Sequence, residues 1–127
     1  MFKQWVLVAA GSALGGVARV ALSAGIYRRW GTSFPWGTLA VNGAGCFFIG
    51  LLFTWAEERL RLGTAGRLFL MAGFCGGFTT FSTYALETVQ LFKSGATFPA
   101  LVYVVGSSAL GLAAFIAGSF MGRLAIL

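Results

Sequence analysis

Apolar residues dominate four long stretches of the chain, and most charged residues fall between those stretches. Each stretch is close to the roughly 20 residues that an α-helix needs to span a bilayer. The predicted spans are Gln4–Tyr27, Phe34–Ala56, Arg67–Phe92 and Phe98–Met121. Because the connections are short, the pattern predicts one all-α integral membrane domain over residues 1–127, with both ends on the same side of the bilayer.

The third stretch carries an unusual polar segment, GGFTTFST at Gly76–Thr83, inside a run that is uncharged from Leu68 to Leu86. Glycine and β-branched threonine are poor helix formers, so we predict a broken helix that unwinds over Gly73–Thr80. Irregular backbone at membrane depth is tolerated only where it is buried in protein or lines a watery cavity. A break frees carbonyls for a cation, and a half-helix starting near Thr80 points its amide groups toward an anion.

Composition agrees with a membrane protein. The chain is 58% hydrophobic and 9% charged, whereas soluble domains carry about 25% charged residues. The net charge is +6, but the basic residues other than Arg19 lie at the ends of the spans, where cationic side chains meet lipid head groups, so we expect no nucleic-acid partner. There is no histidine, and Cys46 and Cys75 both fall within spans as small apolar residues. Neither transition-metal chemistry nor an enzyme is indicated.

Positive charge is nearly balanced between the two sides of the predicted bundle. One side holds Lys3, Arg59, Arg61, Arg67 and Arg123, and the other holds Arg28, Arg29 and Lys93. A clear Lys/Arg asymmetry is what fixes the orientation of a membrane protein. The near balance predicts insertion in both orientations.

Small residues recur at four-residue spacing inside the spans. The pairs are Gly11 and Gly15, Ser107 and Gly111, and Gly118 and Gly122. This spacing lets helix backbones approach closely in lipid, where no hydrophobic force drives association. We therefore predict that most of these glycines serve helix packing.

A short set of polar groups lies within the predicted spans: Arg19, Asn42, Thr79, Thr80, Ser82, Thr83, Glu87, Ser107 and Ser108. An ionisable group costs at least about 2.5–3.5 kcal/mol near the centre of a span and usually faces a cavity or a partner. A lone Ser or Thr often bonds the carbonyl one turn back, but the four hydroxyls of Thr79–Thr83 cannot all do so. These hydroxyls, with the ring edges of Phe78, Phe81 and Tyr84, favour an anion, since Glu87 is the only acid within a span.

Two sequence segments carry a family resemblance: GTLAVNGAGCFFIG at Gly37–Gly50 and GFCGGFTTFSTYALET at Gly73–Thr88. They resemble the Fluc family of bacterial fluoride channels, also called CrcB proteins, and GGVAR at Gly15–Arg19 matches as well. The resemblance covers essentially the whole chain. It implies a dual-topology, antiparallel homodimer in the bacterial inner membrane, with two fluoride pores and a central structural sodium ion. The implied activity is passive fluoride export that prevents fluoride toxicity.

The resemblance also implies roles by position. Main-chain carbonyls of Gly76 and Thr79 in each subunit would bind the sodium ion. The fluoride path would be lined by Asn42, Phe81, Ser82, Thr83, Tyr84, and Ser107 or Ser108. Arg19 would help to draw in or hold the anion, and Glu87 would lie near one vestibule. Position 84 usually holds phenylalanine in the family, and Gly111 cannot donate a side-chain hydrogen bond, so the chain departs from the family pattern there.

Two other classes of protein fit part of the pattern. A small dual-topology, proton-coupled multidrug exporter also uses four spans, but it needs a membrane-embedded carboxylate, normally in the first span. The first span here holds Arg19 and no acid, and intramembrane charge usually follows mechanism. A non-conducting assembly subunit would explain the glycines but not the hydroxyl cluster.

Overall fold

The computed structural model describes residues 1–57 and 62–125, and the regular structure in that part of the chain is entirely helical. The helices are α1 Phe2–Trp30, α2 Trp36–Glu57, α3 (Thr64–Gly66, Arg67–Cys75 and Gly76–Phe78 in succession), α4 Phe81–Lys93 and α5 Thr97–Leu124. Helices α1, α2 and α5 are long and apolar enough to cross a membrane, as expected for a multi-pass membrane protein. The third predicted span is divided into α3 and α4.

Helices α1 and α3 pack with their backbones almost in contact. A Cβ atom added at Gly11 would lie 2.2 Å from the carbonyl oxygen of Phe69, and one at Gly15 would lie 2.2 Å from that of Phe74. The contacts advance together along both helices, so α1 and α3 run parallel. The predicted packing role of these two glycines is confirmed.

Helices α2 and α5 form a second closely packed parallel pair. A Cβ atom at Gly118 would lie 2.0 Å from the carbonyl oxygen of Phe47. Near the same end, the hydroxyls of Thr54 and Ser119 are 2.8 Å apart, and the Trp55 indole donates to the carbonyl of Gly122 at 3.2 Å. Side-chain hydrogen bonds therefore supplement the backbone contact in this pair.

The third span is interrupted over two residues. Thr79 has φ −83° and ψ 159°, and Thr80 has φ −150° and ψ 113°, so both are extended. The predicted unwinding over Gly73–Thr80 is wrong in its extent, because helical backbone continues through Phe78. Gly76 is itself helical, with φ −63° and ψ −39°.

Gly77, just before the break, allows close packing against α1. A Cβ atom at Gly77 would lie 2.4 Å from the carbonyl oxygen of Ser12 on α1. The segment Arg67–Cys75 has the wider turns of a π-helix, and the Gly76 N–H donates to the carbonyl of Met71, five residues earlier. π-Helical turns are rare in proteins, and those that do occur are often found at functional sites. Gly77 thus provides room for α1 rather than a point of unwinding.

The two ends of the bundle carry basic residues. At one end Arg67 pairs with Glu57 and also donates to the carbonyl of Ala56 at 2.5 Å, which joins the end of α2 to the start of α3. At the other end Arg28 and Arg29 lie in the last turn of α1, and Lys93 lies in the last turn of α4. Arg59 and Arg61, which the sequence predicts on the same side as Arg67, lie outside the described residues.

Candidate functional site

The side chain of Asn42 on α2 binds both peptide groups of Thr80 in the break. The Thr80 N–H donates to Asn42 Oδ1 at 2.8 Å, and Asn42 Nδ2 donates to the Thr80 carbonyl at 3.0 Å. In a continuing helix that N–H would instead bond the carbonyl of Gly76, four residues earlier. A carboxamide nitrogen carries two hydrogens, so Asn42 retains one donor beyond this contact.

The hydroxyls around the break make different kinds of hydrogen bond. Thr79 Oγ1 donates one turn back to the carbonyl of Cys75 at 2.9 Å. Thr80 Oγ1 accepts the Thr83 N–H at 3.1 Å and so caps the N-terminus of α4; it also donates to Thr83 Oγ1 at 2.9 Å. Ser82 is exposed, with its hydroxyl 3.3 Å from that of Thr80. Capping leaves the other first-turn amides of α4 without helical acceptors, at the positive dipole end of that helix next to the break.

A cavity of about 380 Å³ opens beside the break, between α2 and α3. It brings together five of the predicted residues or their immediate neighbours: Asn42, Gly76, Thr79, Thr80 and Phe81. The Phe81 ring is 80% exposed, and a Cβ atom at Gly76 would meet nothing within 4 Å. The cavity is therefore open on the side where these two residues lie.

Aromatic rings continue from the break toward α5. The ring centroids of Phe81 and Tyr84 are 5.5 Å apart, and those of Tyr84 and Tyr103 are 5.1 Å apart, with tilted planes in both pairs. Tilted rings direct positively polarised edges toward neighbouring groups. Tyr84 thus connects the break to the fourth apolar span.

The Glu87 carboxylate is held by hydroxyls from three other helices. It accepts from Thr38 on α2 at 2.8 Å, from Tyr103 on α5 at 2.7 Å and from Tyr27 on α1 at 3.2 Å. Glu87 and Tyr27 also line a second cavity, of about 430 Å³, together with Ser94. The predicted vestibule acid is therefore built into a four-helix polar cluster beside a cavity.

Three members of that cluster, Tyr27, Thr38 and Tyr103, were missing from the residues predicted for the site. A signal existed for Tyr103, since a phenol in an apolar span needs a hydrogen-bond partner when buried, and this ring is 1% exposed. Glu87 needed donors for the same reason. The lining of the two cavities does not include Arg19, Ser82, Thr83, Tyr84, Ser107 or Ser108.

The structure separates the two serines of the fourth span. Ser108 is exposed and donates to the carbonyl of Val104, one turn back on its own helix, at 3.2 Å. The Ser107 hydroxyl and the Arg19 Nε are buried and have no hydrogen-bond partner within the described part of the chain. Because buried polar atoms are nearly always paired, Ser107 is the better candidate of the two for the predicted lining of the ion path.

Taken together, these features define a small multi-pass membrane protein whose third span is broken against a polar side chain from the second, an arrangement typical of ion and solute transport proteins. The chain belongs to the CrcB family. Its residues 6–119 match the family model described as CrcB-like protein, Camphor Resistance (CrcB). The resemblance noted in the sequence is thereby confirmed.

Curated relatives named fluoride-specific ion channel FluC match nearly the full length of the chain. The protein from Phocaeicola vulgatus is 43% identical over 121 residues, covering 95% of this chain and 99% of the relative. That from Agrobacterium fabrum is 45% identical over 117 residues, covering 92% and 94%. That from Maridesulfovibrio salexigens is 42% identical over 123 residues, covering 97% and 98%. These names are those of ion channels, not of enzymes.

Proposed function

We propose that this protein is a fluoride-selective ion channel of the bacterial inner membrane, which exports fluoride passively and so prevents its accumulation in the cytoplasm. The names of the relatives support the choice of ion. The structural observation that carries the proposal is the contact between Asn42 and Thr80 at the start of α4. It places an amide donor and a helix N-terminus at the same open cavity.

This arrangement suits a small, strongly hydrated anion. Crossing the membrane requires substitutes for the water that fluoride gives up. The remaining hydrogen of Asn42 Nδ2 and the uncapped first-turn amides of α4 are strong donors. The ring edges of Phe81 and Tyr84 add weaker positive polarity, and the hydroxyls of Ser82 and Thr83 lie in the first turn of α4.

We place the pathway in an antiparallel homodimer with two pores. The exposure of the Phe81 ring, 80% in the single chain, and the open space at Gly76 support a partner at this surface. One chain of 127 residues is short for enclosing a pore by itself, and closed two-fold assemblies are the commonest kind. A second copy would cover the cavity and complete its lining.

A structural sodium ion at the dimer axis belongs to the same proposal. The Thr80 N–H donates to Asn42, so the carbonyl of Gly76 lacks its ordinary helical donor, and Thr79 is extended. Carbonyl oxygens are hard ligands that suit hard cations. The two carbonyls from each subunit would supply four oxygens to Na⁺, whose role is to hold the subunits together.

Fluoride flux from liposomes tests the function directly. Purified protein is reconstituted in vesicles loaded with potassium fluoride, and efflux is followed with a fluoride electrode after valinomycin is added; a chloride-loaded preparation serves as the selectivity control. A channel gives fast, gradient-driven fluoride efflux with little chloride efflux. Strict dependence on a proton gradient would instead indicate an exporter working through Glu87. No flux from correctly assembled protein would reject the proposal.

A further inference from the structure

The Glu87 carboxylate lies at a place where an anion would meet it. Glu87 lines the cavity of about 430 Å³ whose other walls come from the end of α1, from the connection that follows it and from the rest of α4. A fixed negative charge repels an entering anion, and the repulsion is stronger where little water separates the two charges. Entry through this cavity is therefore fast only if the charge of Glu87 is offset on the side that faces the cavity.

The three donors to Glu87 reach its two oxygens from different directions. Oε2 accepts from Tyr103 at 2.7 Å, and Oε1 accepts from Thr38 at 2.8 Å and from Tyr27 at 3.2 Å. Tyr103 and Thr38 are 1% and 4% exposed, so they hold the carboxylate from within the bundle. Tyr27 is half-buried and lines the cavity together with Glu87. The Tyr27 hydroxyl is thus the donor on the cavity side.

The position of the Tyr27 ring is set by a glycine on α2. A Cβ atom added at Gly37 would lie 2.6 Å from Cε2 of that ring and 2.7 Å from Cζ, so the ring rests directly on the α2 backbone. The Tyr27 carbonyl accepts the Gly31 N–H at 2.9 Å, which closes the last turn of α1. Contacts at both the ring and the backbone therefore fix where the hydroxyl is presented.

We infer that Tyr27 is a positioning residue for ion entry, which holds the Glu87 carboxylate at the cavity wall and offsets its charge there. The inference rests on the proposed channel function. A hydroxyl that donates to a carboxylate directs the positive end of its dipole at the charge and reduces the potential beyond it. Without the Tyr27 hydroxyl, Thr38 is the one remaining donor to Oε1 within the described residues, and that oxygen is open to the cavity.

Chemical labelling of the carboxylate tests this arrangement without reference to conduction. Purified protein is treated with a water-soluble carbodiimide and glycine ethyl ester at constant pH, and the labelled peptides are quantified by mass spectrometry. Glu57, whose side chain is 50% exposed, is the internal reference. Glu87 should react slowly in wild type and roughly tenfold faster in Tyr27→Phe, because one hydrogen bond to a charged group is lost. Gly37→Ala keeps the hydroxyl but displaces the ring, and it should accelerate labelling as well.

Ser94→Ala is the matched control. Ser94 lines the same cavity, but its hydroxyl donates to the carbonyl of Leu91 at 2.9 Å and not to Glu87. This variant should be labelled at the wild-type rate. The inference fails if Tyr27→Phe, eluting as the same oligomer as wild type, is also labelled at the wild-type rate. If that variant does not assemble, wild-type labelling of Gly37→Ala overturns the inference instead.

The salt dependence of fluoride efflux is the second readout. Efflux from Tyr27→Phe vesicles should be several-fold slower than from wild-type vesicles at low ionic strength. The difference should shrink when an impermeant potassium salt is added on both sides, because salt at 0.15 M screens exposed charges beyond about 8 Å. A loss of flux that does not change with salt would indicate a merely structural effect and overturn the inference, as would unchanged flux at low salt. Absence of flux from wild type would reject the channel, whereas the labelling rates would still show whether Tyr27 holds Glu87.

Discussion

Asn42 and Thr80 lie 38 residues apart in sequence, yet two hydrogen bonds join them, at 2.8 Å and 3.0 Å. The Thr80 N–H, which has no acceptor in its own helix, is thus satisfied by a side chain of another helix, and the same side chain donates to the Thr80 carbonyl. Backbone groups left unpaired in lipid cost several kcal/mol each. The contact therefore stabilises the break and also brings an amide donor to the cavity.

We predict that Asn42→Asp sharply reduces fluoride flux. The carboxylate cannot donate to the Thr80 carbonyl, so one hydrogen bond worth about 0.5–1.5 kcal/mol is lost, and the carboxylate places a negative charge where the anion must pass. Flux from liposomes and resistance to denaturant measure the two effects. Ser108→Ala is the control, because that hydroxyl bonds its own helix and is exposed. Wild-type flux in the Asp variant would exclude Asn42 from the pathway.

Phe81→Ile should reduce flux while the subunits still assemble. The change keeps an apolar side chain but removes the polarised ring edge, and an 80% exposed ring contributes little to the fold of one chain. Size-exclusion chromatography checks the assembly and the fluoride electrode checks the flux. Tyr84→Phe, which keeps the ring and restores the family's usual residue, should conduct at least as well as wild type. Equal flux in Phe81→Ile and wild type would show that the ring edge is not used.

Two glycine-to-alanine substitutions on α5 should change the stability of the protein in opposite directions, one through close helix packing and the other through helix propensity. Gly118→Ala forces a Cβ atom to within 2.0 Å of a backbone oxygen on α2, and overpacking of this kind costs about 1–3 kcal/mol or more. Gly106→Ala meets nothing within 4 Å and should stabilise the helix by up to about 1 kcal/mol. Thermal unfolding in detergent should therefore shift in opposite directions for the two variants. A shift of the same sign and size would argue against close contact of α2 and α5.

Sodium should stabilise the proposed dimer. If Na⁺ binds only the assembled form, the midpoint of subunit dissociation must depend on its concentration. Thr79→Ser preserves the carbonyl and should keep this dependence. Gly76→Leu should remove the dependence on Na⁺, because the added side chain would fill the space that the proposed partner covers. Backbone strain is not the cause, since Gly76 is helical and faces open space within one chain. A dimer equally stable in Na⁺ and in a large organic cation would contradict the ion's structural role.

Insertion in both orientations is the last prediction. A reporter at the C-terminus should be detected on both sides of the membrane, because Lys/Arg residues are nearly balanced. Replacing Arg28 and Arg29 with alanine removes positive charge from one end and should shift the population toward a single orientation. If the unmodified chain reports one side alone, an antiparallel dimer of this chain by itself is ruled out.

The helical class, the apolar stretches and the break near Thr80 were predictable because local composition controls them. The extent of the break was not. Gly76 and Gly77 read as helix breakers, but in the fold Gly77 packs against Ser12, a contact between helices that the local pattern does not contain.

The hydrogen-bond partners of Glu87 could not be predicted from the sequence either. Tyr27 and Thr38 lie 60 and 49 residues away from it, and their meeting depends on how four helices are arranged. The need of a buried carboxylate for donors was predictable, whereas the identity of the donors required the fold. Ser107 and Ser108 were likewise equivalent in sequence and differ only through their positions on α5.

The two-residue interruption also bears on how the chain enters the membrane during synthesis. The 13 residues of α4 span about 20 Å at 1.5 Å per residue, less than the roughly 30 Å hydrocarbon core, so neither this half nor α3 crosses by itself. The Thr80 N–H has no acceptor within its own span and is tolerated in lipid only beside Asn42. Because α2 precedes α3 in the chain, that side chain leaves the ribosome first, and the nascent third span meets its partner as it arrives.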